Sequence, residues 1–365
     1  MATKNDGVGR SRRGLIAGSL AGAGVAAGGM IFGQPAAALA GTTGLVVITP
    51  SGDETGATDR AAIQEALQGV GRQALLGTGT FYIDKPIVMY SNQRLFGSGA
   101  QATKIVQKGA GHGIMSVSTA SVNYVTISGL TLMADQKVAG SSGIYLVPST
   151  TTDVESFTGI SNITIEDCVV RDWGDCGVYL SAAIASRITR VQTVKNGGNG
   201  FYVTKTRLEN KVAAATSLAF EACYALNNAK NGYELDNVSY STLNACANDG
   251  GQRGYALYTC GSVTLTSCAA EVYTVEGFLI GASKSCSLFG AYTFGGSKVG
   301  IHITGTTVNQ TIGGAVQAQP GAETTNFILA EAGSSVVVWG VTRPGTTGSS
   351  TNKFAGKVTN LDGSA

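Results

Sequence analysis

Short segments of the form glycine, apolar residue, any residue, apolar residue recur along the chain. Eight of them begin at Gly113, Gly143, Gly177, Gly200, Gly232, Gly254, Gly277 and Gly300, and the first departs from the form only in ending with Ser116. The last four begin 22 or 23 residues apart, and the longer gaps earlier in the series are those expected when the same unit carries a loop insertion. A fixed period of this length is typical of a solenoid, in which each repeat packs only against its neighbours.

A second apolar column repeats in phase with these glycines. In seven repeats an apolar residue is followed three positions later by a small or apolar one: Ile127/Leu130, Ile165/Cys168, Ile188/Val191, Phe220/Cys223, Leu243/Cys246, Leu265/Cys268 and Leu288/Ala291. The residues between them are rich in Asn, Gly, Ser, Thr and Val and have no helical period, which favours strands and turns.

The length of the period, combined with strand geometry, predicts the fold. A strand rises about 3.3 Å per residue, so about 22 residues make one turn of three short strands, and successive turns stack about 4.8 Å apart. The sequence therefore predicts an all-β protein that is a single-stranded right-handed parallel β-helix. A leucine-rich repeat has a similar length, but its Leu-x-x-Leu-x-Leu and Asn pattern is absent.

Composition and the ends of the repeat agree with one solenoid. Only 13% of the 365 residues are charged and 52 are glycine, as expected for coils that need glycine at tight corners. Residues 58–67 predict a short amphipathic helix, with Asp59 as its N-cap, that covers the open N-terminal end. We predict this cap and the first coils in residues 41–110, the repetitive coils in residues 111–320, and final strands or a cap in residues 321–365.

The N-terminus contains the three parts of a twin-arginine export signal in order. Arg12 and Arg13 precede a Gly/Ala-rich, weakly apolar stretch, and Ala-Leu-Ala at residues 38–40 forms a cleavage site before Gly41. We therefore predict a signal peptide in residues 1–40 and a secreted, extracellular protein with no membrane association after its removal. No other apolar run is long enough to span a bilayer.

The charge balance excludes one class of partner. Residues 1–40 hold four basic residues and one acidic residue, so residues 41–365 hold 21 basic and 22 acidic residues and have a net charge of −1. Nucleic-acid binding requires a basic stripe, and we therefore expect no nucleic-acid partner.

We expect the seven cysteines to be unpaired structural residues. Twin-arginine substrates are generally exported already folded, so the fold is not expected to depend on disulfides. Cys168, Cys223, Cys246 and Cys268 occupy one inward column, where thiols fill the core as small apolar groups. One bridge among the last three, which lie on neighbouring turns, stays open.

Three motifs precede the first repeat: Asp-x-x-Ala-Ile-Gln-x-Ala-Leu at residues 59–67, Gly-Thr-Phe-x-Ile at residues 79–83 and Leu-x-Gly-x-Gly at residues 95–99. Because of these three motifs, residues 45–110 resemble the N-terminal part of the pectate lyase superfamily of β-helix proteins. This superfamily includes rhamnogalacturonase-like and epimerase-like domains and phage tailspikes. The resemblance implies a secreted or cell-surface protein that acts on polysaccharide by hydrolysis, β-elimination or epimerisation. It does not choose among them, because one fold hosts several chemistries.

The catalytic motifs of that superfamily cannot be carried over. Gly111-His112-Gly113 matches one polygalacturonase motif, but it lies near the N-terminal end with no Asp-Asp before it, so we interpret His112 as a turn residue. The Asp-Pro-His-Glu motif of alginate epimerases is absent. Candidate site residues must therefore come from the repeat itself.

The repeat predicts which side chains face solvent. Because side chains alternate along a strand, the third residue of each glycine motif points outward; these residues include Tyr145, Tyr179, Tyr202 and then Glu234, with Tyr258 also outward further along. The first three tyrosines are expected about 5 Å apart in one strip. Tyrosine suits sugar rings, which present both C–H faces and hydroxyls. The alternative is a ladder that only stabilises the sheet.

Glu234 and Asp236 share one outward strand face, with Cα atoms expected about 6.5–7 Å apart. Inverting glycosidases hold their two carboxyl groups about 6.5–9.5 Å apart, so that one protonates the leaving oxygen and the other activates water. We take these residues as the leading catalytic pair. The alternative is two ordinary solvated surface charges.

Residues near the turns supply further candidates. Three carboxylates are candidates for one member of a catalytic pair spread over two turns: Asp172, Asp249 and Glu271. Three basic residues are candidates for holding an anionic glycan or for assisting β-elimination with a tyrosine: Arg171, Lys195 and Arg253. Asp167, Asp172 and Asp175 surround Trp173, but their spacing matches no calcium loop. We therefore predict no metal ligands and no cofactor, with calcium an option only for a lyase.

Three functions are consistent with these residues. The first is an exported glycoside hydrolase, the second a polysaccharide lyase or epimerase acting on a uronic-acid glycan, and the third a non-catalytic glycan-binding surface protein. Insertions at residues 147–159 and 205–216 are expected to wall the binding face. By analogy with tailspikes, the C-terminal strands are candidates for contacts in a homotrimer.

Overall fold

Three long parallel sheets run along the solenoid, and a typical turn contributes one strand to each of them in the order A, B, C. The computed structural model describes residues 45–69, 71–150, 157–319, 325–342 and 351–361. Neighbouring strands within these sheets are parallel. The predicted all-β, parallel β-helix is therefore confirmed.

The strands are short and their bounds repeat along the chain. Within the described residues, sheet A has 13 strands: Leu45–Ile48, Gln73–Leu76, Arg94–Gly97, Thr126–Ser128, Thr164–Glu166, Arg187–Thr189, Ala219–Glu221, Thr242–Asn244, Thr264–Thr266, Ser287–Phe289, Gln310–Gly313, Ser335–Trp339 and Lys357–Asn360. Sheet B has 10 described strands: Gly79–Ile83, Thr103–Gln107, Thr131–Ala134, Val169–Arg171, Gln192–Val194, Tyr224–Leu226, Ala247–Asp249, Ala269–Glu271, Tyr292–Phe294 and Val316–Gln319. In sheet C the structure describes 11 strands: Ile87–Met89, Ile114–Ser116, Ile144–Leu146, Val178–Ser181, Phe201–Thr204, Asn231–Asp236, Arg253–Tyr258, Glu276–Gly281, Val299–Ile303, Asn326–Ala330 and Thr351–Phe354.

Two smaller elements follow sheet C in some turns. A strip of two-residue parallel strands contains Ile160–Ser161, Ala183–Ile184, Ala215–Thr216 and Val238–Ser239. One antiparallel hairpin, Thr206–Leu208 with Lys211–Ala213, is inserted directly after a sheet C strand.

The inward columns predicted from the sequence form the core. The apolar residues of sheet A are register partners from turn to turn and are buried: Ile127, Ile165, Ile188, Phe220, Leu243, Leu265 and Leu288. In sheet C, the rings of Phe201, Tyr233, Tyr255 and Phe278 form an inner stack with centroids 4.7–4.8 Å apart. In these turns, equivalent positions therefore pack against one another.

The glycines of the repeat lie where successive turns approach one another closely. A Cβ placed on Gly254 would lie 2.6 Å from the carbonyl oxygen of Gly277 and 2.6 Å from the Cβ of Ala270. The other seven glycines of the column meet the next turn in the same way, at 2.6–2.8 Å from a carbonyl oxygen. None of the eight has a positive φ. They are therefore needed for space, whereas left-handed corners are occupied by residues such as Asp167 and Arg190 (φ 54° and 51°).

One helix, Ala57–Ala66, closes the N-terminal part of the core. Ile63 and Leu67 are fully buried. The side chain of Gln64 donates to the carbonyl oxygen of Val88 (3.0 Å) and accepts from its N–H (2.9 Å). Because Val88 lies in the first strand of sheet C, this amide satisfies part of an otherwise open strand edge.

The predicted N-cap of this helix is wrong. The N-cap is Gly56, with a left-handed φ of 91° and no side-chain cap, and Asp59 lies in the first turn. The Asp59 carboxylate is buried and accepts the backbone N–H groups of Ser51 (2.8 Å) and Tyr82 (2.9 Å). Its role is to hold the helix against the first coil rather than to cap it.

All seven cysteines are buried and unpaired. The column of Cys168, Cys223, Cys246 and Cys268 fills the core, as the sequence predicts, and contains no bridge. Burial raises the pKa of Cys168, Cys176 and Cys260 to about 12. At neutral pH these groups are therefore protonated thiols inside the solenoid.

We expect the native protein to resist a small thiol reagent at pH 8 for minutes, because all seven thiols are buried and a reagent must reach the sulfur to react. After unfolding in guanidinium chloride, seven thiols should react, one for each cysteine. A colorimetric disulfide-exchange assay measures both counts. A native count above one, or an unfolded count below seven, would contradict the buried, unpaired arrangement.

The solenoid continues beyond the last glycine motif. Asn326–Ala330 and Thr351–Phe354 extend sheet C, while Ser335–Trp339 and Lys357–Asn360 extend sheet A. The predicted signal in residues 1–40 lies outside the described residues. In the part of the chain that the structure describes, no helix is both long and apolar enough to cross a bilayer.

Candidate functional site

The outer face of sheet C carries a strip of aromatic and charged side chains. Tyr145, Tyr179, Tyr202 and Glu234 form one column, each in register with the next. Ring centroids are 4.8 Å apart between Tyr145 and Tyr179 and 5.2 Å apart between Tyr179 and Tyr202. The column predicted from the sequence is therefore present, and it leads to a carboxylate.

The faces of the tyrosine rings pack against neighbouring aromatic rings. His112, from the preceding turn, stacks on Tyr145 with centroids 4.0 Å apart and 7° between the planes, and Tyr179 stacks on Tyr145 from the following turn. Tyr202 meets Tyr179 edge to face. What Tyr145 offers a ligand is its outer edge and hydroxyl rather than an open face. Burial raises the pKa of Tyr145, Tyr179 and Tyr202, so these phenols are neutral at pH 7.

Two buried amides hold the carboxylate of Glu234. The Nδ2 groups of Asn199 and Asn231 donate to its Oε2 at 2.8 and 2.7 Å, and these asparagines are 4% and 5% exposed. The Oδ1 of Asn199 accepts the backbone N–H of Asn231 (3.0 Å). The Oδ1 of Asn231 is buried and has no partner among the described residues. A positioned carboxylate thus lies beside an unsatisfied acceptor.

Asp236 is held by different neighbours. The hydroxyl of Thr204 donates to its Oδ2 (3.2 Å) and the amide of Asn237 donates to its Oδ1 (2.5 Å). Burial raises the pKa of Tyr202, and the nearby charges of Glu234 and Asp236 raise it further. Glu234 and Asp236 form the carboxylate pair. They lie on either side of the buried Leu235 in one strand, so they face the same side of the sheet. Strand geometry puts their Cα atoms about 6.5–7 Å apart.

A second charged cluster lies further along the same face. The Nε of Arg253 donates to Glu276 (2.5 Å), which also bonds to Nδ1 of His302 (3.2 Å). The Nε2 of His302 lies 2.9 Å from a carboxylate oxygen of Glu331. The imidazole is therefore held between two carboxylates. Burial raises the pKa of Tyr258, and the neighbouring charge of Arg253 opposes this rise.

Sequence analysis missed most of the residues that hold these groups. Asn231, Arg253 and Glu276 are register partners, and each directly precedes a glycine of the repeat, as Asn199 does. Strand alternation places only the residues that follow each glycine. The polar character shared by the residues directly before the glycines is the sequence signal for this column.

We expect the free energy of unfolding to fall as the pH rises through the pKa of His302. The hydrogen bond to Glu276 and then that to Glu331 raise this pKa above 6.5, so folding favours the imidazolium. Its contribution is complete below 6.5 and is lost above the raised value.

Melting temperatures between pH 6 and 9 test this dependence, with His302→Gln as the comparison. Burial lowers the pKa of His112 below 6.5, so this residue makes stability rise with pH up to its unfolded-state pKa and cannot cause a fall above it. If the variant loses stability with pH as steeply as the unsubstituted protein, His302 does not provide the effect.

The remaining predicted candidates lie on sheet B or at its end. Asp249 and Glu271 are register partners in sheet B, and burial together with Asp249 raises the pKa of Glu271. Arg171 pairs with Asp172 (2.6 Å). Asp172 and Lys195 occupy left-handed positions just after sheet B strands (φ 63° and 54°). These five residues are therefore not brought together with the carboxylate pair, which lies on sheet C.

The acidic residues around Trp173 are engaged elsewhere. Asp167 accepts two hydrogen bonds from Arg190 (2.6 and 2.7 Å), and Trp173 is fully buried. The described residues contain no group of three His, Cys, Asp or Glu side chains placed to hold a metal ion.

The hairpin predicted as a wall projects beside the strip. It begins two residues after Thr204, and the hydroxyl of its first residue, Thr206, contacts the hydroxyl of Ser181 in the preceding turn. Lys205 and Arg207 are exposed there. Residues 151–156 of the other insertion lie outside the described part of the chain.

Comparison with known families agrees with the coiled architecture. The family described as "Right handed beta helix region" matches residues 154–315, so the coils have the predicted hand. No curated protein matches the sequence.

Solved structures share the fold at low sequence identity. ORF18 of Geobacillus virus E2 has a TM-score of 0.64 and 15% identity, over 82% of this chain and 62% of that one. The enzymatically active domain of tailspike protein 2 of bacteriophage CBA120 has a TM-score of 0.65 and 14% identity, over 83% and 48%. The A-module of mannuronan C-5 epimerase AlgE4 of Azotobacter vinelandii has a TM-score of 0.55 and 15% identity, over 83% and 95%. The chain thus spans less than two thirds of the two phage proteins, and the likeness shows the fold alone.

Proposed function

We propose that this protein is a secreted polysaccharide-active enzyme that hydrolyses glycosidic bonds with the carboxylate pair. The observation that carries this proposal is two outward carboxylates on one strand, each fixed by two hydrogen bonds. They adjoin a strip of neutral tyrosine hydroxyls on an elongated face, which suits an elongated glycan.

In this hydrolysis, one carboxylic acid protonates the leaving glycosidic oxygen. The other carboxylate removes a proton from a water molecule that attacks the anomeric carbon from the opposite face. Strand geometry puts the two Cα atoms about 6.5–7 Å apart, and inverting enzymes hold their carboxyl groups about 6.5–9.5 Å apart to leave room for that water, so inversion is the outcome we propose. Asn199 and Asn231 orient Glu234, while Thr204 and Asn237 orient Asp236, so the pair is ordered before substrate binds.

The tyrosine strip supplies the proposed binding surface. Tyr145, Tyr179 and Tyr202 present hydroxyl edges on one side of the pair, and Tyr258 lies in register with Asp236 on the other. Arg253 borders the strip through its ion pair with Glu276. A glycan lying along the solenoid axis would cross all of these residues.

The second candidate function is lyase or epimerase chemistry on a uronic-acid glycan, which the shared fold with a mannuronan epimerase favours. That chemistry needs a base to remove the proton at C5. Burial raises the pKa of Tyr202 and Tyr258, which makes their phenolates scarce at neutral pH and disfavours them as that base. A glycan-binding protein without catalysis is the third candidate.

Incubation with neutral and uronic-acid glycans separates these functions. New reducing ends without a rise in ultraviolet absorbance support hydrolysis. Reducing ends with a rise in absorbance indicate β-elimination, and a changed uronate composition without cleavage indicates epimerisation. Binding without any product leaves the third candidate.

We further propose export by the twin-arginine pathway. Replacing both Arg12 and Arg13 with lysine is expected to stop export and to leave folded protein in the cytoplasm, because this pathway reads the arginine pair. The matched variant Arg10→Lys should be exported normally. Immunoblots of cell and culture fractions measure both. Export of the double variant at the normal level would contradict the signal.

A homotrimer is proposed on the tailspike analogy alone. The described strands nearest the C-terminus extend sheets A and C, so they would supply part of the contact. Sedimentation equilibrium measures the subunit number, and a monomer at micromolar concentration would exclude this assembly.

A further inference from the structure

We propose that the outer face of sheet B binds a second copy of this chain, in a two-fold symmetric pair whose solenoids run antiparallel. The observation behind this inference is a solvent-facing surface that is mainly apolar and whose charged side chains change sign from one end to the other. Soluble proteins rarely leave a continuous apolar surface uncovered, so such a surface marks a contact with another molecule. It lies on a different sheet from the carboxylate pair, and it is separate from the C-terminal strands proposed for the homotrimer.

The strands of sheet B alternate in burial, with a buried middle residue between two residues that reach the surface. Their outward side chains form two columns of register partners, which together make the sheet B face. One column contains Val169, Gln192, Tyr224, Ala247, Ala269 and Tyr292, and the other contains Met133, Arg171, Val194, Leu226, Asp249, Glu271 and Phe294. The corresponding side chains of sheet A are mostly polar, as at Thr242, Thr264 and Thr266, so an apolar outer surface is not general in this solenoid.

The C-terminal half of the sheet B face carries two acidic residues without a cation. Asp249 and Glu271 are register partners on neighbouring strands, which lie about 4.8 Å apart. Neither forms an ion pair with a described residue, and like charges at neighbouring positions repel. Burial raises the pKa of Glu271, and the charge of Asp249 raises it further. A cation supplied by another molecule would relieve this repulsion.

The N-terminal half of the sheet B face carries cations at the mirrored heights, with Leu226 at the centre. Lys195 is exposed at the corner one turn before Leu226, and Asp249 lies one turn after it. Arg171 lies two turns before Leu226, and Glu271 lies two turns after it. The charges on the two sides of Leu226 are therefore matched in height and opposite in sign.

Both cations keep donors for a partner. The Nε of Arg171 donates to the neighbouring Asp172 (2.6 Å), and its two Nη groups have no partner among the described residues. The Nζ of Lys195 forms no hydrogen bond or ion pair within the part of the chain that the structure describes. A guanidinium can bind two carboxylates at once, so the contact with Asp172 does not exclude a second one.

A two-fold axis parallel to the strands and centred above Leu226 reverses the order of the turns in the second copy. Arg171 then faces the partner's Glu271, Lys195 lies beside the partner's Asp249, and the apolar centre packs on its own copy. A rotation axis along the solenoid would instead bring equal turns together, so Asp249 and Glu271 would meet the same two carboxylates. The charge pattern therefore selects antiparallel solenoids.

The size of the sheet B face is sufficient for a specific pair. Its 10 described strands, at a spacing of about 4.8 Å, make it about 43 Å long, and two outward residues with the flanking corners make it about 12 Å wide. The flat area is about 500 Å² on each copy and about 1,000 Å² in the pair, the lower limit for a specific interface. We therefore expect a pair that forms at micromolar concentrations rather than a permanent dimer.

Sedimentation velocity of the purified protein at tens of micromolar tests the interface, with Leu226→Arg as the variant. This substitution places two arginines against each other at the apolar centre, where neither has a counter-charge from the other copy. We expect the unsubstituted protein to have twice the mass of the variant. Thr242→Arg puts the same charge on the exposed outer face of sheet A and should leave the mass unchanged.

Charge reversal tests the orientation of the two copies. Arg171→Glu and Glu271→Arg each place like charges opposite one another, and each should weaken self-association at least tenfold. The double variant restores opposite charges across the interface, so its dissociation constant should return to within about threefold of that of the unsubstituted protein. In a parallel pair these two residues would not face each other, and the double variant would show no recovery.

Two results would overturn the inference. An equal mass for Leu226→Arg and the unsubstituted protein, whether of one chain or three, would exclude the sheet B face as an interface. A double variant that associates as weakly as the two single variants would exclude the antiparallel order. Melting curves establish that each variant is folded, and if Leu226→Arg is not, the charge-reversal series decides, because its substitutions lie on side chains that already reach the surface.

Discussion

Replacing Glu234 with glutamine is expected to lower kcat for glycoside hydrolysis by about 10²–10⁴-fold, the usual contribution of a general acid or base. Glutamine keeps the size of the side chain and an oxygen for the Asn199 and Asn231 amides, so the fold should be unaffected. It cannot supply or take the proton that the reaction moves. Initial rates of reducing-end formation on the glycan found by the substrate panel measure the loss.

The matched control is Glu221→Gln. Glu221 is an exposed carboxylate on sheet A, away from the sheet C strip, and its variant should keep full activity. Asp236→Asn should lose activity by a factor similar to that of Glu234→Gln. Full activity in Glu234→Gln would remove the site assignment and leave the architecture untouched.

Replacing Gly254 with alanine is expected to lower the free energy of unfolding by about 3 kcal/mol, at the upper end of overpacking effects. The added Cβ would lie 2.6 Å from the carbonyl oxygen of Gly277 and from the Cβ of Ala270. The contact with Gly277 is to backbone within a parallel sheet, which cannot move aside without distorting the next turn. Urea denaturation followed by circular dichroism measures the change.

Gly261→Ala is the control for this substitution. A Cβ on Gly261 would meet only the Oγ of Ser239, at 3.4 Å, and Gly261 does not have a positive φ. Its variant should therefore change stability by less than about 0.5 kcal/mol. Equal losses in the two variants would show that close approach is not the reason for the glycine column.

The fold and the tyrosine column could be predicted because a fixed period turns sequence spacing into height along the axis. Once Gly143, Gly177 and Gly200 are equivalent, the tyrosines two residues after them must be register partners. The same argument places Glu234 and Asp236 on one face. These positions follow from the spacing of the glycines alone and do not depend on what any side chain contacts.

The partners of these residues could not be predicted by alternation. Asn199, Asn231 and Glu276 each lie directly before a glycine, where the chain turns into the strand and the two-residue rule does not yet hold. Asp249 and Glu271 show the opposite difficulty. They lie five and six residues before a glycine of the repeat, but the corner between sheets B and C turns them onto another face. Asp59 was misassigned because its hydrogen-bond donors come from Ser51 and Tyr82, outside the helix.

The inner stack of sheet C gives the protein built-in spectroscopic reporters at different heights. Tyr233 and Tyr255 are sandwiched within the stack, so their near-ultraviolet dichroism follows the central turns. The two tryptophans lie to either side in the chain, with Trp173 fully buried nearer the N-terminus and Trp339 contacting Phe289 nearer the C-terminus. In a molecule whose turns contact only their neighbours, these signals distinguish melting in a single step from unravelling that starts at one end.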